Sequence, residues 1–188
     1  NLNYAQNLTF ITKAQNNKDG PPPDGRGGIL RITFDGGVVD DKGVLGDEDP
    51  LNKYYAYGIR NSFGIGFDTV TGNLWETENG RSTDDEINLV LSGFNSGWRE
   101  VIGFSNETEE FNEENLETFG GKGIYSDPEF IWKDTIAPTS ILFMNTDNLG
   151  PKYKDNLFVG SVKNGTIYNF PLNENRTHLV LTGPLADK

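Results

Sequence analysis

The amino-acid sequence predicts an all-β fold, and three observations support this prediction. Amphipathic helical periodicity is almost absent from the 188 residues. Short apolar or alternating runs recur along the whole chain. Asp-Gly, Thr-Gly-Asn, Asn-Gly and Gly-Pro turn signals separate these runs, and 23 glycines supply the backbone freedom that such turns require. Many short strands with dense turns are typical of an all-β domain.

The predicted strands follow in chain order, each bounded by turn residues: 28–33, 65–68, 74–77, 86–90, 141–143, 156–160 and 166–170. Segments 68–75 and 154–159 share a pattern in which a polar turn leads into a strand, and a polar loop then leads into another. This recurrence is typical of β-propeller blades, which take about 40–50 residues each. The chain therefore holds at most about four blades, whereas closed propellers generally have about four to eight. Segments 16–28 and 105–123 are predicted to be long surface loops, on which sites are often built.

Composition excludes several classes of partner and chemistry. The net charge is -12, which disfavours nucleic acid and anionic lipid, and favours solubility first and cation binding second. No cysteine is present, so disulfides, thiol catalysis and cysteine metal sites are excluded. No apolar run reaches the roughly 18 residues that a membrane span needs. Four Asn-x-Thr sequons predict an extracytoplasmic, glycosylated protein, and they begin at Asn7, Asn106, Asn164 and Asn175.

The segment from Tyr55 to Phe104 holds the most informative motifs. Arg60-Asn61 lies between a strand end and a glycine-containing turn, where the arginine fork could bind a carboxylate at two points. The segment from Glu78 to Glu86 combines a strand end, a glycine loop and an acidic triplet. Backbone carbonyls and carboxylates are the ligands that Ca²⁺ prefers, although an acidic loop is more often simply solvated. The spacing is not that of an EF-hand.

Together these motifs resemble the signature of the glucose/sorbosone dehydrogenases. The residues that carry the resemblance are Arg60-Asn61, Leu74-Trp75, Glu78-Asn79-Gly80, 84–88 and 95–98, with further similarity at 28–32, 137–140 and 156–163. Members of that family are soluble, six-bladed, calcium-dependent quinoproteins that use pyrroloquinoline quinone (PQQ). The resemblance implies that residues 1–188 form a partial six-bladed propeller of about three to four blades. It also implies that the N-terminal blades and the final blade lie outside this chain.

The resemblance implies a role for each matching residue. Arg60 and Asn61 match the pair that holds the PQQ carboxylates and orthoquinone region, and Lys163 matches a lysine that pairs with a cofactor carboxylate. Trp132 matches an aromatic residue near the flat face of the cofactor, where stacking is physically reasonable. Two calcium sites are also implied: the carbonyls of Gly80 and Arg81 at the PQQ-associated ion, and Glu86, Glu129 and the carbonyls of Ser96 and Ile102 at a structural ion.

The sequence departs from the family pattern at several points. Arg81 stands where proline is usual, which makes the turn less rigid, and Lys133 stands where some relatives have proline. The catalytic histidine of the family lies in an early blade, and the single histidine here, His178, lies in a polar segment that predicts a surface residue. We therefore expect this chain to supply cofactor and calcium groups but no catalytic base, and to be inactive alone.

The function implied for the complete protein is oxidation of the C1 hydroxyl of an aldose sugar to a lactone. PQQ would accept a hydride, Ca²⁺ would polarise the quinone, a histidine would take the proton, and an external acceptor would take the electrons. On this hypothesis Arg60 and Lys163 face a common cavity.

One alternative is a non-catalytic extracellular propeller that binds a protein or carbohydrate partner. A second is a calcium-stabilised surface domain, which would keep Glu86 without needing Arg60 or Lys163.

Overall fold

The computed structural model describes residues 11–39 and 42–185, and within them the regular structure is almost entirely β. Eleven strands are present in this part of the chain: β1 Gly28–Leu30, β2 Tyr54–Tyr57, β3 Ser62–Phe67, β4 Leu74–Glu78, β5 Thr83–Val90, β6 Phe94–Asn95, β7 Ile124–Tyr125, β8 Phe130–Asp134, β9 Pro138–Phe143, β10 Leu157–Ser161 and β11 Ile167–Phe170. The helices are single 3-10 turns at Lys13–Gln15, Leu51–Lys53, Ser105–Glu107, Glu113–Asn115, Pro151–Tyr153 and Gly183–Leu185. None of the described helices is long and apolar enough to cross a membrane.

The chain divides into two compact units. Unit 1 comprises Asn1–Arg60 and Leu91–Asp127, and unit 2 comprises Asn61–Val90 and Pro128–Lys188. The sheet of unit 1 has the strand order β1-β2-β6-β7, with β1 antiparallel to β2 but β2, β6 and β7 mutually parallel. Propeller blades are generally built from antiparallel strands, so the parallel pairs of unit 1 depart from the blade pattern. Parallel neighbours need long connections, and here residues 58–93 separate β2 from β6 while 96–123 separate β6 from β7.

Side-chain amides join the irregular segments of unit 1. Asn16 and Asn95 donate reciprocal hydrogen bonds to each other, each 2.9 Å between amide nitrogen and oxygen. Asn16 Nδ2 also donates to the carbonyl of Trp98 at 2.8 Å, and Asn16 Oδ1 accepts the Glu117 backbone N–H at 3.1 Å. Both amides are almost fully buried. This pair satisfies backbone groups that no strand reaches, as burial of polar groups requires.

Unit 2 holds two antiparallel sheets, with strand orders β3-β4-β5-β8 and β9-β10-β11. Gly64 of β3 lies so close to β9 that a Cβ there would stand 2.0 Å from the Thr139 carbonyl oxygen. Side chains between the sheets form one apolar cluster, whose buried members are Trp75, Ile87, Phe130, Trp132, Ile136, Ile141, Phe143, Leu157, Val159 and Phe170. This cluster is the core of unit 2.

One buried ion pair fixes a turn of unit 2. The Arg176 guanidinium donates to both carboxylate oxygens of Asp68, with nitrogen–oxygen distances of 2.6 and 2.8 Å, and to the Asp155 carbonyl. Burial would raise the pKa of Asp68, but hydrogen bonds from Arg176 and Thr71 outweigh burial and hold that pKa below its usual value. Such a two-point pair ties the turn before β4 to the segment after β11.

The seven strands predicted from the sequence are all present, and their ends differ from the predicted ones by at most three residues. β2, β6, β7 and β8 were not predicted. β6 and β7 have only two residues each, which leaves no periodicity to recognise. Segments 16–28 and 105–123 carry little regular structure, in agreement with the predicted loops.

Candidate functional site

The carboxylate of Asp85 joins two loops at one end of the sheets of unit 2. Asp85 Oδ1 accepts the backbone N–H of Gly80 at 2.8 Å. Its Oδ2 accepts the backbone N–H groups of Ile136 and Ala137 at 2.6 and 2.8 Å. The residue is about 1 % exposed. A buried carboxylate with three backbone donors is well satisfied, so it can hold both loops in fixed positions.

The first loop contains the predicted cation ligands Gly80 and Arg81. A Cβ on Gly80 would lie 1.9 Å from the Thr83 carbonyl oxygen and 2.7 Å from that of Asp84, so only glycine fits there. Carbonyl oxygens thus crowd around Gly80, and oxygen donors of this kind suit a hard cation such as Ca²⁺. Arg81 is exposed, which leaves its side chain outside the loop. The carbonyls that lie close to Gly80 belong to Thr83 and Asp84, and the role of the Gly80 and Arg81 carbonyls at the PQQ-associated ion stays a prediction.

Lys163 lies in the turn between β10 and β11 and contacts the second loop. The backbone N–H of Lys163 donates to the Ile136 carbonyl at 3.1 Å, and its ammonium group donates to the Thr135 hydroxyl. The Lys163 side chain is exposed, and an ammonium group has three donors, so contact with Thr135 does not exhaust it. The sequence-predicted cation is therefore available at the end of the sheets where the Gly80 loop lies.

Asn61 belongs to the same hydrogen-bonded network. Its carbonyl accepts the Asn79 backbone N–H at 3.0 Å, and the Asn79 side chain donates to the Pro138 carbonyl at 3.2 Å. The Asn61 side chain is exposed. Three predicted cofactor or metal residues, Asn61, Gly80 and Lys163, are thus brought together within unit 2, although they lie far apart in the sequence.

Trp132 occupies a different environment. It lies opposite Asp85 in the β5–β8 register, but its ring belongs to the core of unit 2. Ring centroids of Phe130 and Tyr168 lie 4.8 and 5.1 Å from the indole, both in edge-on arrangements. The residue is about 6 % exposed. Stacking against a flat cofactor would require this aromatic cluster to open, and that role stays a prediction.

Arg60 is the last residue of the first segment of unit 1, and there its guanidinium lies 5.5 Å from the centroid of the Trp98 ring. That distance is in the range of a cation–π contact. The predicted common cavity of Arg60 and Lys163 stays a prediction.

The residues predicted for the structural calcium site divide between the two units. Glu86 and Glu129 belong to unit 2, and Ser96 and Ile102 belong to unit 1. Glu86 is buried, and its Oε2 accepts a hydrogen bond from Asn88 at 3.2 Å. Within residues 11–39 and 42–185, no group of three or more acidic or histidine side chains is arranged to hold a metal ion. The structural calcium site stays a prediction.

The Glu129 carboxylate has a partner that the sequence did not indicate. His178 Nδ1 lies 3.0 and 3.1 Å from its two oxygens, while the histidine side chain is 69 % exposed. Burial raises the pKa of the Glu129 carboxyl, and the hydrogen bond with His178 offsets part of that rise. His178 is thus a surface residue, as predicted. A calcium ion on Glu129 would have to displace it.

Sequence reasoning missed Asp85, the residue that joins the two loops. The signal was present, because Asp85 lies within the acidic triplet that follows the glycine loop. That triplet was interpreted as a source of cation ligands. In the structure, Asp84 forms an ion pair with Lys133, Asp85 accepts backbone hydrogen bonds, and Glu86 turns to the opposite sheet face.

Three sequons can be compared with the structure. Asn106, Asn164 and Asn175 are exposed, whereas Asn7 lies outside the described residues. An acceptor asparagine must be accessible, so the three positions are compatible with glycosylation. The extracytoplasmic location stays a prediction.

The antiparallel sheets of unit 2, with loops gathered at their ends, are typical of β-propeller blades, and comparison with solved structures agrees. The apo-form of the soluble aldose sugar dehydrogenase from Escherichia coli matches with a TM-score of 0.62 and 26% identity, over 82% of this chain and 43% of that one. The all-β, partial-propeller prediction is therefore confirmed.

The family model for glucose/sorbosone dehydrogenase matches residues 8–184, and the chain belongs to this family. The aldose sugar dehydrogenase YliI of E. coli is 29% identical over 168 residues, which are 87% of this chain and 44% of the relative. Quinoprotein glucose dehydrogenase B of Acinetobacter calcoaceticus is 35% identical over 82 residues, or 44% of this chain and 16% of the relative. The chain spans less than half the length of the curated relatives it matches.

Proposed function

We propose that this chain forms part of the cofactor site of a PQQ- and calcium-dependent aldose sugar dehydrogenase. We call the part of the site formed by Asn61, Gly80, Arg81 and Lys163 the cofactor-binding wall. The main supporting observation is the hydrogen-bond network that brings Asn61, Gly80 and Lys163 together around Asp85. Family membership and the names of two relatives, an aldose sugar dehydrogenase and a quinoprotein glucose dehydrogenase, favour the same conclusion.

Each residue of this wall has a chemical task in the proposal. The exposed Lys163 ammonium pairs with a carboxylate of the cofactor, and the Asn61 amide donates and accepts hydrogen bonds beside it. The carbonyls of Gly80 and Arg81 hold Ca²⁺ at the quinone. Because Arg81 replaces the rigid proline of the family pattern, the hydrogen bond from Gly80 to Asp85 takes over part of the task of fixing this turn.

In the proposed reaction the C1 hydroxyl of an aldose is oxidised to the lactone. Bound PQQ would supply the hydride acceptor, and Ca²⁺ held by the Gly80 and Arg81 carbonyls would act as a Lewis acid. The hydroxyl proton needs a base with a pKa near neutrality. His178 is exposed and paired with Glu129, so we assign the proton transfer to a histidine outside this chain, and we expect these residues alone to be inactive.

Titration of PQQ into the protein, in calcium buffer and again with excess chelator, tests the proposal. We expect calcium-dependent binding that Lys163→Ala weakens by about 2–5 kcal/mol, since the variant leaves a buried cofactor charge without its partner. Lys154→Ala is the matched control, because Lys154 is an exposed lysine of the same unit. Equal affinities of the wild type and Lys163→Ala would refute the assignment. Absence of PQQ binding would favour a propeller that binds a protein or carbohydrate partner.

A further inference from the structure

We propose that Asp85 is the positioning residue of the cofactor-binding wall. It holds the Gly80–Arg81 loop and the 135–137 turn at a fixed separation. The carbonyls that would bind calcium and the Lys163 ammonium can then serve the same bound PQQ molecule. This inference rests on the proposed function and adds to it a residue that touches neither PQQ nor calcium. Asp85 would act only through the backbone groups that it holds.

The geometry of the carboxylate supports this role. Its two oxygens point to different loops, with Oδ1 on Gly80 and Oδ2 on Ile136 and Ala137. The loops are separated by about fifty residues of sequence, so no local turn can hold them together. An aspartate at about 1 % exposure is also screened little by solvent, and its three charge-assisted bonds are short and directional.

The backbone at both ends of this bridge needs an external constraint. Ala137 has a φ of 53°, in the left-handed region that an L-residue other than glycine adopts only at a cost. The hydrogen bond from its N–H to Asp85 helps hold it there. At the other end, the hydrogen bond from the Gly80 N–H to Asp85 fixes the Asn79–Gly80 peptide plane, which directly precedes the peptides whose carbonyls would bind the ion.

The turn transmits the constraint to Lys163. Two groups converge on the Ile136 carbonyl: the backbone N–H of Lys163 at 3.1 Å and the Ser161 hydroxyl at 2.7 Å. The hydroxyl of the neighbouring Thr135 accepts a hydrogen bond from the Lys163 ammonium group. Movement of the 135–137 turn would therefore shift both ends of the lysine, its backbone and its charged group. Asp85 is the group that fixes this turn to the Gly80 loop.

The test compares Asp85→Asn with Asp84→Asn, two neighbouring substitutions that remove the same charge. The asparagine at 85 places an NH₂ donor against N–H donors and breaks at least one bond of the bridge. Asp84 instead forms an ion pair with the exposed Lys133, and its φ of 60° suits asparagine. Two quantities are measured: amide hydrogen exchange at Gly80, Ile136 and Ala137, and the dissociation constant for PQQ in calcium buffer.

We expect Asp85→Asn to accelerate exchange at all three amides at least tenfold and to weaken PQQ binding at least tenfold, whereas Asp84→Asn changes neither. A further readout separates positioning from general destabilisation. In the Lys163→Ala background, Asp85→Asn should weaken binding less than in the wild type, because part of its effect passes through Lys163.

Three outcomes would overturn the inference. They are unchanged PQQ affinity in folded Asp85→Asn, exchange that rises at one loop only, and full additivity with Lys163→Ala. If Asp85→Asn does not fold, Asp85→Glu keeps the carboxylate and displaces the loops, and wild-type affinity for that variant would equally count against positioning. A wild-type protein that does not bind PQQ overturns the proposed function, whereas wild-type binding with unaltered Asp85→Asn overturns only the role of Asp85.

Discussion

The two units of this chain solve the same problem of stabilising an all-β fold in different ways. Unit 2 has strands of four to eight residues and one apolar cluster between its sheets. Unit 1 has strands of two to four residues, and one apolar cluster among its described residues comprises Ala14, Leu45, Tyr54 and Tyr57. The buried amides of Asn16 and Asn95 join its irregular segments by reciprocal hydrogen bonds. We infer that burial of apolar area stabilises unit 2, whereas satisfied polar groups specify unit 1.

The largest expected effect is loss of an aromatic ring from the core of unit 2. Phe130 is about 1 % exposed, and its ring centroid lies 4.8 Å from that of Trp132 and 5.1 Å from that of Phe170. Phe130→Ala removes these contacts and leaves a cavity, so we expect the free energy of unfolding to fall by about 3–5 kcal/mol in urea titrations.

Phe67→Ala is the matched control, since this phenylalanine of β3 is 65 % exposed. It should change the free energy of unfolding by no more than about 0.5 kcal/mol. Similar losses for the two substitutions would show that the interior of unit 2 is not the apolar core that the structure describes.

A smaller effect is expected from the amide pair of unit 1. Asn16→Asp keeps the size and the left-handed backbone of φ 57° but removes the donors to Asn95 and Trp98. Each buried acceptor left without a donor costs about 1–3 kcal/mol. We expect a loss in that range, with faster hydrogen exchange at Gly97, whose N–H donates to Asn95.

Asn106→Asp changes the same chemical group at an exposed position and should leave stability within about 0.5 kcal/mol. The amides of β4 should exchange as in the wild type in both variants, because that strand belongs to unit 2. Uniform acceleration of exchange across both units would contradict separate modes of stabilisation.

The same contrast explains how much of the fold could be predicted from the sequence. Leu74-Trp75 and Ile87 predict β4 and β5, because apolar residues flanked by turn signals indicate strands. β6 has only Phe94 and Asn95, and it exists because the Asn95 side chain meets Asn16 across 79 residues of sequence. Long-range amide pairing has no local pattern, so the sequence predicted β1 but not the pairing of β6 in the sheet of unit 1.

The candidate site shows the same division. Asn61, Gly80 and Lys163 were predicted from the family motifs that they match, because a motif names residue types at fixed places, and their roles stay predictions. The environment of a motif residue is a property of packing, and Trp132 illustrates this by lying within the aromatic core. The role of Asp85 was equally hidden, since its partners are backbone groups that every residue possesses.

The third prediction concerns a polar exception within unit 2, where β4 and β5 bury a carboxylate. Glu76 lies opposite Asn88 in the register, and its Oε1 accepts a hydrogen bond from that amide at 3.3 Å. Burial, together with the charge of nearby Glu78, raises the pKa of Glu76 to about 8. In the unfolded chain the same group titrates near 4.5. The folded state therefore holds this proton over a pH range in which the unfolded state has lost it.

Because the folded state binds more protons between about pH 4.5 and pH 8, this carboxyl makes stability fall as pH rises, by up to about 1.4 kcal/mol per pH unit. Glu76→Gln imitates the protonated acid and removes that contribution. Urea unfolding between pH 5 and pH 8 should give a flatter profile for Glu76→Gln, with its largest gain over the wild type at pH 8. Glu174→Gln, at an exposed position of the same unit, should run parallel to the wild type. Parallel profiles for Glu76→Gln as well would mean that Glu76 is ionised in the folded protein, and that unit 2 buries a charge rather than a neutral acid.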